Sequence, residues 1–162
     1  MFAILMVHSK NKEILSEDLI NELNRRLSTG PAYASYPLWL ATLIKCYIKE
    51  ECLITETQLS NIIQAAVNNP NINNNHFTGS YILMVASSYV IRTGNYNNAL
   101  HLAIAADQLT PSHVIFMRHI IKLALASHDF TTAKQWIQKF EKLPQSKLFC
   151  KELNSLKKQL PK

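Results

Sequence analysis

Apolar positions recur at spacings of three and four along most of this chain, and each run is bounded by residues that start or stop helices. Leu19, Ile20, Leu23 and Leu27 follow Ser16, a good N-cap, with Glu17 and Asp18 in the first turn, and the pattern stops at Gly30 and Pro31. Pro37 suits the first turn of a second helix, whose apolar surface comes from Leu38, Trp39, Ala41, Leu43, Ile44 and Tyr47 and which closes at the charged turn Lys49, Glu50 and Glu51. Thr55 and Gln58 form a capping-box pair ahead of Leu59, Ile62, Ile63, Ala66 and Val67, and Asn68, Asn69 and Pro70 end that third helix. Residues 71–75 are asparagine-rich and read as an exposed loop. Residues 77–92 are apolar nearly all round, as in a helix with neighbours on both sides.

A fifth helix is expected after Thr93 and Gly94, running to Leu109. It carries the small residues Ala99, Ala103, Ala105 and Ala106, and Pro111 closes it. Residues 114–127 and 131–142 repeat the plan, and the tail, residues 146–160, predicts an eighth helix with Leu148, Leu153, Leu156 and Leu160 inside. No alternating period-two segment occurs, so the fold class is all-α, with seven or eight helices and short connections that imply antiparallel neighbours.

The chain also repeats itself. Gly94, Asn95, Tyr96, Asn97, Asn98 and Ala99 align with His128, Asp129, Phe130, Thr131, Thr132 and Ala133 at a constant offset of 34 residues. Gly94, Tyr96, Ala99, Ala106 and Pro111 stand at the spacing of the second half of a tetratricopeptide repeat, and the chain resembles that family over most of its length. The resemblance implies helical hairpins stacked as a short right-handed solenoid. Two repeats (residues 80–111 and 114–144) follow a degenerate hairpin made from residues 37–49 and 55–69. The whole of 1–162 then reads as one domain, with N-terminal helices over 16–70, the two repeats within 77–144 and a capping helix over 146–160. The pattern departs from the family at Leu83, Ala86 and Ser87, where Trp, Leu and Gly are usual, and at Phe140, where a small residue is usual.

A narrower likeness lies in the order of features: Cys46 and Cys52 across a helix turn, Asn69 and Pro70 at a helix end, a polar loop, then hairpins carrying Gly94, Asn95 and Tyr96 and Asp129 and Phe130. That order is similar to the soluble C-terminal region of bacterial membrane glycosyltransferases of the O-antigen-ligase and protein O-oligosaccharyltransferase type. It implies an accessory periplasmic domain, a membrane-protein partner, a disulfide between Cys46 and Cys52, and no transferase activity for this chain. Read by themselves, the two cysteines are equally compatible with a bridge across the turn and with free buried thiols. The location is periplasmic if the chain belongs to a larger membrane protein and cytoplasmic otherwise.

Charge adds little to this picture. Seventeen Lys and Arg against eleven Asp and Glu give +6, a balance that suits an acidic partner or simply solubility. The longest apolar opening run, residues 2–7, falls far short of the roughly 18 residues that read as a transmembrane helix; it reads as a core-packed helix or the remnant of a junction. Lys147, Lys151, Lys157, Lys158 and Lys162 read as the solvated face of a capping helix. Aromatic residues sit mostly at core positions and do not interleave with basic ones, which argues against nucleic acid.

Chemistry-bearing patterns are absent. The six histidines (8, 76, 101, 113, 119 and 128) form no i, i+4 pair, the three cysteines have no zinc-type spacing, and glycines only at 30, 79 and 94 leave no phosphate loop. No enzyme, metal or other cofactor is expected. In the tetratricopeptide register the first helix of each hairpin lines a groove, and the inward residues are Tyr81, Met84, Ser88 and Arg92 in one repeat and Ile115, Arg118 and Lys122 in the next. Such a groove suits an extended peptide with acidic side chains or a free carboxylate. The expected role is a protein–protein interaction scaffold, with a small secretion chaperone that holds an unstructured client as the alternative.

Overall fold

A computed structural model describes residues 15–31, 33, 35–50 and 54–161. The apolar run at 2–7, His8, Glu51, Cys52 and Lys162 lie outside them. The described residues form α-helices and short 3-10 turns with no strand. The helices are α1 (Glu17–Thr29), α2 (Tyr36–Ile48), α3 (Glu56–Val67), α4 (His76–Val90), α5 (Tyr96–Leu109), α6 (Val114–Ala126), α7 (Phe130–Glu141) and α8 (Cys150–Lys157). The chain divides into two compact units, one ending at Ala86 and one beginning at Ser87, so that α4 contributes to both.

In the first unit α3 packs against α1 and α2. Ser16 caps α1 by accepting a hydrogen bond from the Leu19 amide at 3.3 Å, and Ile20, Leu23 and Leu27 are buried. The capping box at Thr55 and Gln58 forms as expected, with both reciprocal hydrogen bonds present. Trp39, Leu40, Leu43, Ile44 and Cys46 make the buried face of α2; each large apolar side chain taken from water contributes roughly 1.5–3 kcal/mol.

The end of α1 is tied down from three directions. The Tyr36 hydroxyl donates to the Arg26 carbonyl at 3.1 Å. The Asn69 amide donates to the carbonyls of Leu27 at 2.7 Å and Gly30 at 3.0 Å, and the Asn71 amide reaches Thr29 and Gly30. The Arg26 carbonyl also accepts from the Gly30 amide at 3.0 Å, whereas those of Leu27, Thr29 and Gly30 lie past the last intrahelical donor and would otherwise be unpaired. A Cβ on Gly30 would lie 2.5 Å from the Arg26 carbonyl oxygen and 2.9 Å from the Tyr36 hydroxyl, so the close approach requires glycine.

Residues 71–75 are more ordered than their composition suggests. Ile72–Asn74 is a 3-10 turn with Ile72 buried, and Asn75 accepts from the Thr78 amide at 3.1 Å to cap α4. An asparagine side chain both donates and accepts, so one short stretch of them satisfies the end of one helix and the start of another.

In the second unit α6 packs against α5 and α7. The 34-residue offset holds in conformation as well as in sequence. Gly94 and His128 both adopt left-handed backbone, with φ of 77° and 60°. Asn95 and Asp129 each cap the following helix through the side-chain oxygen, and Ala99 and Ala133 are both fully buried.

The tail differs from the expected single helix over 146–160. Pro144–Phe149 is a 3-10 turn and α8 begins only at Cys150. A 3-10 turn advances about 120° per residue instead of 100°, which shifts the phase and turns Leu148 outward at 82% exposure, while Leu153 and Leu156 stay buried.

Candidate interaction surfaces

The two faces of α2 are both apolar, and only one of them is covered. Leu38, Ala41, Lys45 and Ile48 fall within an arc of about 80° on the helix surface, opposite the buried stripe. Leu38 is 55% exposed and Ile48 39%. A helix apolar all round is normally enclosed, so an open apolar face points to something that covers it. On α4, Phe77, Tyr81 and Val85 follow one another at four-residue spacing. Phe77 is 59% exposed, and its ring lies 4.7 Å from that of Tyr81.

These two stripes wall a cleft of about 450 Å³ lined by Pro37, Leu38, Ala41, Phe77, Thr78, Tyr81 and Val85. No lining residue is charged. Its one buried polar group is Thr78, 1% exposed, whose Oγ1 has no hydrogen-bond partner. An unsatisfied buried hydroxyl costs on the order of 1–3 kcal/mol.

The expected groove residues have different fates. Tyr81 lines the cleft, whereas Met84 is 8% exposed and belongs to the core of the first unit. Ser88, Arg92 and Ile115 are exposed. Arg118 and Lys122, one turn apart on α6, converge on a single carboxylate, Glu152 of α8, at 2.6 and 2.8 Å. The Arg118 guanidinium also lies over the Phe149 ring, 4.6 Å from its centre. Hydrogen bonds from Arg118 and then from Lys122 hold the Glu152 carboxyl below its ordinary range. The seat foreseen for a partner's acidic group is thus taken by the chain's own acid.

A serine and a histidine meet in the second unit. Ser87 is fully buried; its Oγ donates to the Ala99 carbonyl at 2.7 Å and lies 3.0 Å from His119 Nε2. A hydroxyl has one proton, and Ala99 receives it, so Nε2 carries the hydrogen and donates to Ser87. A general base would need that nitrogen bare and facing the serine proton. The pair is therefore a structural bridge between α4, α5 and α6. Burial lowers the His119 pKa from its ordinary 6.5, with a smaller contribution from Lys122. Among the described residues no cluster of three or more His, Cys, Asp or Glu could hold a metal ion.

Cys46 is a buried free thiol and Cys150 an exposed one; Cys52 lies outside the described residues. No helix among the described residues is long and apolar enough to cross a membrane. The sequence marks Leu38 and Ala41 as apolar helix surface and residues 77–92 as apolar nearly all round, and the only sign that part of this surface is open is the excess of apolar positions on α2 and α4 over what one buried face requires. No protein-family model, curated protein or solved structure matches this chain.

Proposed function

We propose that this chain is a non-catalytic interaction module of tetratricopeptide-like construction that binds a segment of a partner protein in the cleft between α2 and α4. The cleft carries this reading: seven residues from two helices, apolar walls with Leu38 and Phe77 more than half exposed, and one unsatisfied hydroxyl at Thr78. In the proposed register α2 and α4 are successive first helices, the elements that line the groove of such a stack. The equivalence of Gly94 with His128 and of Asn95 with Asp129 in conformation supports the repeat.

Panning a displayed random-peptide library on the protein tests the proposal, with Leu38→Glu and Phe77→Glu variants as counter-selection. Both side chains are largely exposed, and surface substitutions generally shift stability by about 0.5 kcal/mol or less. A family of apolar peptides that binds the native chain and is lost on both variants is expected. No enriched family, or one that binds the variants equally, refutes the proposal.

A further inference from the structure

We infer that the partner segment enters the cleft as an extended strand of alternating apolar residues with an acidic residue beyond its apolar stretch, and that Thr78 hydrogen-bonds its backbone. The inference rests on the cleft being the binding site and adds the chemistry of the occupant.

Thr78 lines the cleft, and its Oγ1 is buried without a partner. A helix docked there would bring a backbone whose N–H and C=O groups are already paired internally, whereas an extended segment presents unpaired ones at every residue. A threonine hydroxyl donates or accepts as required. Alternation of side chains at a period of two then directs every second residue of the segment into the apolar walls.

Charge bears on the occupant as well. Neither α2 nor α4 contains an acidic residue, and the one charge within either helix is Lys45, on the same exposed arc as Leu38 and Ile48. A two-fold dimer through this face would cover Lys45 of each copy with helices that carry no acidic residue to pair with it, which disfavours a second copy. A lipid surface would find exposed apolar side chains and a lysine, but it cannot fill a concave cleft.

Two labelled nine-residue peptides test the inference, both with leucine at alternate positions, one ending in two glutamates and the other in two lysines. Fluorescence anisotropy reads their affinity for the native chain and for Lys45→Glu, Thr78→Val, Thr78→Ser, Leu38→Glu and Phe77→Ala. The glutamate peptide is expected to bind roughly three- to tenfold tighter than the lysine peptide, and Lys45→Glu to remove or reverse that preference. Thr78→Val is expected to weaken binding by a similar factor while the unfolding midpoint stays level or rises, because the unsatisfied hydroxyl is gone; Thr78→Ser retains binding. A merely structural threonine would not separate stability from affinity in this way.

If both peptides bind equally and Thr78→Val has no effect, yet Leu38→Glu and Phe77→Ala abolish binding, the inference falls and the cleft remains the site. If binding is absent or indifferent to Leu38 and Phe77, the cleft falls too. Leu38-dependent attachment to vesicles of phosphatidylcholine and phosphatidylserine, or a Leu38-dependent dimer in sedimentation, in place of peptide binding overturns the inference in favour of those occupants.

Discussion

Ser87 and His119 lie 3.0 Å apart in the second unit, and the hydrogen between them belongs to the histidine, because the serine proton is directed at the Ala99 carbonyl. One small side chain therefore serves α4, α5 and α6 together. Replacing Ser87 with alanine leaves the His119 N–H without its acceptor and removes one bond to Ala99. The expected loss is about 1–2 kcal/mol, read as a lower urea midpoint at unchanged slope.

The same histidine makes stability depend on pH. Its folded pKa lies below the unfolded 6.5, so at pH values beneath 6.5 the unfolded chain binds more protons than the folded one. Its contribution is complete above that value and declines as the pH falls from 6.5 through the lowered folded pKa. Denaturant titrations between pH 7.5 and 5 are expected to show this decline, and His119→Gln, which keeps an N–H donor without titrating, to flatten it.

Asn69 is the most heavily used buried polar side chain described in the first unit, with two donated bonds at 2.7 and 3.0 Å and one accepted from the Asn71 backbone amide at 2.8 Å, all at 1% exposure. Asn69→Ala leaves the Leu27 carbonyl and the Asn71 backbone amide without partners, while Asn71 still donates to Gly30, and is expected to cost about 2–4 kcal/mol. Asn69→Asp is expected to be worse, since a carboxylate would face two carbonyl oxygens. Thermal unfolding of the two variants gives the order.

Thiol reactivity separates the cysteines. Cys150 is expected to react promptly in the native protein and Cys46, 4% exposed, only on unfolding. The bridge to Cys52 proposed from the glycosyltransferase-like order of features requires that unreduced protein yields no Cys46 thiol even when unfolded; a free one, located by mass mapping, contradicts it.

Much of the helical architecture was legible in the sequence because its signals are local. Ser16 and Thr55 with Gln58 act on residues within four positions, and the structure uses each as the cap the pattern predicts. What escaped depends on distant partners. Asn69 read only as a helix stop, since Leu27 and Gly30 lie some forty residues away. Arg118 and Lys122 read as groove cations because Glu152 belongs to another helix. The open faces of α2 and α4 were legible as apolar but not as open, since periodicity reports how much surface is hydrophobic and tertiary packing decides which part is covered. Leu148 was misplaced because a single helical period was carried through a proline-initiated 3-10 turn.

Amide chemical-shift mapping of the chain titrated with the glutamate-ended peptide locates the binding site residue by residue. Saturable shifts are expected to be confined to residues 37–45 and 77–85, with the Thr78 amide among the largest and none of them present in Leu38→Glu. Shifts centred on Arg118, Lys122 and Glu152, or spread over both units without a focus at the cleft, would contradict binding there.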